Sequence, residues 1–356
     1  MACRERRGAR LRRLAAVGLL AVSAVPSRGE EATPRRVFVS GHSLVDRPLP
    51  DDLARISASL GRPLTWARRH ASGSTIAQRA CWGETPAIDE TSGPGAADAP
   101  YDTLVVTEQH DLMGAVLWND TVGELARLHD CFAARNPGLA TWFYVPWISL
   151  DDKRDPANWL AYERAAAPLW RCVVAAANRR SAAARAGNRI RVIPAASALA
   201  TLVESAADRP PPPGRRAGGA GEAAARLIED QVHPTRLGAY ALALLVEAAT
   251  TGRPPRGAWA PEGVAPETAE ALQIFSGDAA AAAAREPEPD SDACAKRLQV
   301  QATGLFWPYM ERAMWRPQAG FVEARRELWS KALRWRWKMW REPDWTPFAP
   351  PPDGRG

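Results

Sequence analysis

The chain has 356 residues, enough for one large domain with an appendage, and a formal charge of +6 that sits at its two ends. Residues 1–24 hold six arginines and one glutamate, while residues 296–345 hold eleven basic and five acidic side chains. The body between is therefore acidic, which argues against a nucleic-acid-binding face and against a nucleic-acid partner.

In chain order, Arg4, Arg6, Arg7, Arg10, Arg12 and Arg13 come first, followed by an apolar run from Leu14 to Val25. Small residues at Val22-Ser23-Ala24 complete the pattern of a secretory signal over residues 1–24. The run is short for a bilayer span, so a periplasmic or secreted chain is expected; the alternative is an uncleaved anchor. Past the signal remain Cys81, Cys131, Cys172 and Cys294, which allow three disulfide pairings in an oxidising compartment. None has metal-ligand spacing, and no metal or organic cofactor is expected.

Apolar runs bounded by turn residues predict strands at 37–40, 64–67, 103–107, 141–145 and 190–194. Longer stretches of helical periodicity predict helices at 50–60, 121–135, 157–180, 196–205 and 235–249. Their alternation predicts an α/β domain over residues 35–275, built on a parallel sheet covered on both faces. Residues 208–221, rich in Pro, Gly and Arg, predict a mobile loop.

Residues 276–295, with Arg285-Glu286-Pro287-Glu288-Pro289-Asp290, read as a linker to a helical tail over 296–345, and 346–356 as a disordered end. Seven of the fifteen tryptophans lie between Trp307 and Trp345, making a Trp/Arg-rich C-terminal extension. On a helix of 3.6 residues per turn, Phe321, Ala324, Leu328, Trp329, Leu333, Trp335 and Trp340 share one broad face. Such a helix either packs on the main domain with its charges in water or lies in a membrane interface. Partner docking and stacking on sugars are further readings.

The chemistry concentrates in two segments. The first strand runs into Ser40-Gly41-His42-Ser43-Leu44, and Asp230-Gln231-Val232-His233-Pro234-Thr235 precedes the last predicted helix of the domain. A serine hydroxyl needs a base within hydrogen-bond reach, and that base needs an orienting carboxylate. Ser43, Asp230 and His233 supply these three groups in chain order, from strand-end loops that converge in an α/β domain.

These two segments resemble the first and last blocks of the GDSL/SGNH hydrolase superfamily, over about residues 35–275. The resemblance implies a flavodoxin-like three-layer α/β/α sandwich and hydrolysis of esters, often acyl groups on lipids or carbohydrates. It maps the nucleophile to Ser43, the base to His233 and the orienting carboxylate to Asp230. It also implies an oxyanion hole made by the Ser43 N–H, a glycine N–H and an asparagine side chain. Ala71-Ser72-Gly73-Ser74-Thr75-Ile76 resembles the glycine block and points to Gly73.

Leu104-Val105-Val106-Thr107-Glu108-Gln109-His110-Asp111 departs from the third block, usually Gly-x-Asn-Asp. Glu108 stands in the glycine's place and His110 in the asparagine's, while His42 stands where the first block has aspartate. A histidine N–H can donate to an oxyanion, so His110 is the expected third donor. The expected activity is an exported serine esterase acting on small acyl esters, with O-acetyl groups on carbohydrate as the foremost class. Acyl transfer to a sugar hydroxyl and a non-catalytic binding role on the same fold are the alternatives.

Overall fold

The computed structural model describes residues 34–80, 89–93, 100–207 and 219–349. The predicted leader, Cys81, residues 208–218 of the predicted loop and residues 350–356 lie outside them. Six strands form one sheet: β1 (Arg35–Gly41), β2 (Leu64–His70), β3 (Asp89–Ser92), β4 (Thr103–Val106), β5 (Ala140–Tyr144) and β6 (Arg191–Ile193). Their order is β3-β2-β1-β4-β5-β6. All neighbours are parallel except β3, which runs antiparallel to β2 at one edge. Every residue of β4 is buried, as expected of a central strand covered on both faces. β1 lies between β2 and β4, so the winding direction reverses there, and the carboxyl ends of these strands flank the crevice where α/β folds place ligands.

The helices fill two layers over this sheet, giving the expected three-layer sandwich. α1 (Leu49–Ser59), α9 (Arg236–Thr251) and α10 (Pro266–Arg285) pack together, as do α4 (Thr121–Arg135) and α5 (Ala157–Arg180). Short α2 (Ile76–Arg79), α3 (Leu112–Leu117) and α6 (Ala182–Arg185) fill strand-end loops, and α7 (Ala195–Ala207) packs on α8 (Ala220–Leu227). Glu247 of α9 is fully buried and pairs with Arg35 and Arg62, which locks that helix to the start of the sheet. A buried carboxylate is tolerated because two guanidinium groups meet it.

Three predicted boundaries differ from the structure. The 276–295 linker does not exist at that length: α10 runs through Arg285 and burying Leu272, Gln273, Ser276 and Ala280 keeps it helical. Only Glu286–Pro289 remain before Asp290 caps α11 (Ser291–Gln301). Disorder does not begin at residue 346 as predicted, because Phe348 is fully buried and Arg180 donates to the Pro347 carbonyl at 3.0 Å. Finally, the tail is part of the same compact unit as the α/β sandwich. A disulfide joins Cys172 of α5 to Cys294 of α11, choosing one pairing that the sequence left open.

The tail continues through two π-helical turns around α12 (Trp307–Met310) into α13 (Arg316–Arg341). The Tyr309 hydroxyl donates to the Ser149 carbonyl at 2.7 Å and accepts from the Asp151 N–H at 3.1 Å, fixing the tail to the loop after β5. α13 buries Ala324 and Trp335, the latter edge-on to Trp307 and Trp345. The broad apolar face predicted for this helix is therefore split, with part of it turned to water.

Candidate functional site

Ser43 follows the carboxyl end of β1, where the chain tightens into a single 3-10 turn, Ser43–Val45. Gly41 is required for that turn, because a Cβ there would stand 1.9 Å from a Val45 methyl carbon. His42 caps the turn: its Nδ1 accepts from the Leu44 N–H at 3.5 Å. That acceptor role leaves the ring proton on Nε2, which donates to the Glu108 carbonyl at 2.8 Å. His42 is buried, and this desolvation, aided by the Arg79 charge, lowers its pKa to about 3. His42 is thus a neutral strut between the loops that carry Ser43 and Glu108.

Ser43 is half-buried, and its hydroxyl makes no hydrogen bond among the described residues. Gly73 lies beyond the end of β2, beside Ser43's loop, since Gly41 pairs with His70 and the Ala71 N–H donates to the Gly41 carbonyl at 3.2 Å. Its φ of +65° is a left-handed backbone conformation, and a Cβ there would meet only open space. The N–H groups of Ser43 and Gly73 donate to no group among the described residues, which leaves both for a ligand.

Beneath these loops lie a buried carboxylate, Glu108, and a buried guanidinium, Arg79, that the sequence did not announce. Glu108 is fully buried and accepts from the N–H of Ile76 at 3.2 Å, the N–H of Gln109 at 2.8 Å and the Thr121 hydroxyl at 2.8 Å. Burial raises its pKa, opposed by the Arg79 charge and by these donors. Arg79 donates to the Ser74 carbonyl at 2.6 Å and to the Thr107 carbonyl. Burial lowers the Arg79 pKa to about 10, with Glu108 opposing, so the guanidinium keeps its charge at neutral pH. Glu108 and Arg79 therefore bind the second and third blocks into one floor.

His110 stands on that floor, half-buried, with its ring 6.4 Å from that of His42 between centroids. Burial lowers its pKa, and the nearby charge of His233 lowers it further. The ring makes no hydrogen bond among the described residues. The next residue, Asp111, has its pKa raised by burial, while the Gly114 and Met113 N–H groups and Lys331 of α13 oppose that shift. Lys331 reaches the site from the tail, more than two hundred residues away in sequence, and its ammonium also lies 4.0 Å from the Trp118 ring centroid.

The Asp230–His233 loop is built as a clasp. The Glu229 N–H donates to the His233 carbonyl at 2.8 Å, and Ile228 bridges Pro234, closing the loop. Asp230 Oδ1 accepts from the N–H groups of Val232 at 2.7 Å and His233 at 2.8 Å, while Oδ2 meets His233 Nδ1 at 2.7 Å. Desolvation opposes ionisation of Asp230, but the Val232 N–H and the His233 ring and N–H outweigh it and lower the pKa to about 2. Thr235 caps α9 by accepting from the Gly238 N–H at 3.1 Å, so Asp230 is free of capping duty. The clasp docks on the loop after β5: the Leu150 N–H donates to the Gln231 carbonyl at 2.7 Å and Trp147 Nε1 to the Val232 carbonyl at 2.8 Å.

All the predicted site residues thus lie on loops at the carboxyl edge of the sheet. The structure brings Asp230 and His233 into direct contact and sets His233 within electrostatic reach of His110. His129, by contrast, is a packing residue held by Thr141 and the Asn188 carbonyl. A groove of about 830 Å³ lies at the opposite end of the strands, and Glu286 and Glu288 pair with its Arg171 and Arg189. It is remote from these loops. Among the described residues, no group of three or more His, Cys, Asp or Glu could hold a metal ion.

No protein-family model matches the chain, and no curated protein matches it. Among solved structures, a DUF4886 family protein from Bacteroides uniformis is similar, with a TM-score of 0.51 and 14% sequence identity. The likeness covers 72% of this chain and 98% of that one, and it concerns the fold.

Proposed function

We propose that the protein is an exported serine esterase of SGNH type, acting without cofactor on small acyl esters such as O-acetyl groups of carbohydrates. The observation that carries this reading is the Asp230–His233 pair at 2.7 Å, docked on the strand edge from which Ser43, Gly73 and His110 also emerge. Asp230 holds the Nδ1 proton of His233, leaving Nε2 as the base. His233 takes the Ser43 proton as the hydroxyl oxygen attacks the acyl carbon. The oxyanion forms against the Ser43 and Gly73 N–H groups and the neutral His110 ring, which donates one N–H.

Collapse of this adduct breaks the ester bond, and His233 returns the proton to the departing alcohol. Water, activated by the same imidazole, then cleaves the Ser43 acyl-enzyme. The Cys172–Cys294 disulfide supports an oxidising compartment, consistent with export. The test is hydrolysis of p-nitrophenyl acetate beside a Ser43→Ala variant, with fluorophosphonate labelling of Ser43 read by mass spectrometry. Loss of both signals in the variant is expected; equal rates in both proteins defeat the proposal.

A further inference from the structure

We propose that α13 is a membrane-surface element whose solvent face docks on an anionic lipid bilayer. The face is built from Val322, Trp329, Leu333 and Trp340, which are 79%, 65%, 63% and 79% exposed. They follow one another at intervals of 7, 4 and 7 residues, which on an α-helix places them within an arc of roughly 40°. Trp337, 58% exposed, widens the stripe on one side. Isolated exposed apolar residues are ordinary, but an aligned row with two tryptophans and a third beside it is a surface awaiting cover.

The charges around the row say what covers it. Arg325 and Arg336 flank it on one side and Arg326 on the other, with Arg341 beyond, all exposed. Arg336 makes no ion pair among the described residues, Arg326 and Arg325 meet Glu323 and Glu311 only at 3.6 Å, and the basic side chains of α13 outnumber its acids, Glu323 and Glu327. An apolar row rimmed by arginines matches a headgroup layer: the indoles sit at the polar–apolar boundary, and the guanidinium groups reach anionic phosphates. A second copy of this chain fits poorly, because self-docking sets the arginine rims against each other. Crossing the bilayer is not the mode either, since no helix among the described residues is long and apolar enough.

The opposite face of α13 is committed to the protein. Trp335 and Ala324 are buried, and Lys331 lies over the Trp118 and Trp315 rings. The free face therefore cannot turn inward without breaking that packing. This inference does not depend on the esterase reading, and its test contains no activity measurement.

The experiment is co-sedimentation of the full chain with vesicles of phosphatidylglycerol and phosphatidylcholine, or of phosphatidylcholine alone. Two variants are compared with it: Trp329→Ser/Leu333→Ser/Trp340→Ser and Arg326→Gln/Arg336→Gln/Arg341→Gln. All six side chains are exposed, and far-ultraviolet circular dichroism verifies the fold. Partitioning to the anionic vesicles is expected, weakened by salt. Each arginine near such a surface contributes roughly a fivefold gain, so the arginine variant should lose about 100-fold. The tryptophan variant should lose at least about as much. The leader is common to all three proteins, so equal partitioning overturns the proposal. So does partitioning indifferent to lipid charge, or a sedimentation-velocity dimer that the tryptophan variant abolishes.

Discussion

In the mechanism proposed above, His110 bears the heaviest chemical demand at the scale of single residues, because an imidazole N–H would serve where SGNH hydrolases use an amide. Burial and the neighbouring His233 keep that ring neutral, so one nitrogen holds a proton to donate. His110→Ala should lower kcat about 10²–10³-fold with little change in KM, as for loss of one oxyanion donor. His110→Asn should restore much of that loss, and steady-state kinetics with an acyl ester checks both; an alanine variant with unaltered kcat would exclude the ring from the oxyanion hole. His42 leaves a different signature. Burial and the Arg79 charge hold its pKa at about 3 rather than 6.5, so an unfolded chain binds a proton that the folded chain refuses. The folded pKa is the lower one, hence stability is present above pH 6.5 and falls as pH drops toward 3. The slope from this one group is about 1.4 kcal/mol per pH unit within that window. Urea midpoints measured from pH 7 to pH 4 should show it, and His42→Asn should remove that share. If the variant keeps the full slope, the acid sensitivity arises elsewhere.

Elements meet through Glu108 and Arg79, and here the sequence was least informative. The strand at 103–107 was legible from its apolar run, and so was the polar segment that follows it. That Glu108 receives the N–H of Ile76, and that Arg79 reaches Thr107, follows only once β2 and β4 flank β1. Sequence separations of about thirty residues carry no local signal of such contacts. Arg79→Met should leave the buried Ser74 and Thr107 carbonyls without their donor and Glu108 without the nearby Arg79 charge, costing about 1–3 kcal/mol for each lost partner in urea unfolding. The pair Arg79→Met/Glu108→Gln should recover part of it, and strictly additive losses would show that the two residues do not interact. β3 was missed for another reason: Asp89-Glu90-Thr91-Ser92 has no apolar residue, so only its pairing with β2 makes it a strand. α10 was not predicted as a helix, and its alanine-rich second half, 279–284, was read as linker because it runs into Pro287 and Pro289. By contrast Asp230 and His233 were legible because their contact lies within one loop.

Across the molecule, the tail is bound to the sandwich by covalent and packed contacts that composition could not reveal. The helix itself was readable from periodicity, but which side faces the protein depends on Trp307, Trp345 and Trp118, all outside its span. The Cys172–Cys294 bond closes a loop of 122 residues in sequence. Cys172→Ala/Cys294→Ala should therefore lower stability by about 2–5 kcal/mol, mainly by enlarging the unfolded ensemble. Urea denaturation checks this, and an unchanged midpoint would show that packing alone secures α11. Near its beginning the tail is anchored by that bond and by Tyr309 on the Ser149 carbonyl, and beyond its end by Phe348 and the Arg180 contact to Pro347. A rod clamped at both extremities acts as a spacer instead of a leash. Whatever α13 rests upon is held at one set height from Ser43, so the hydrolysis proposed above would be geometrically rationed to esters presented at that height.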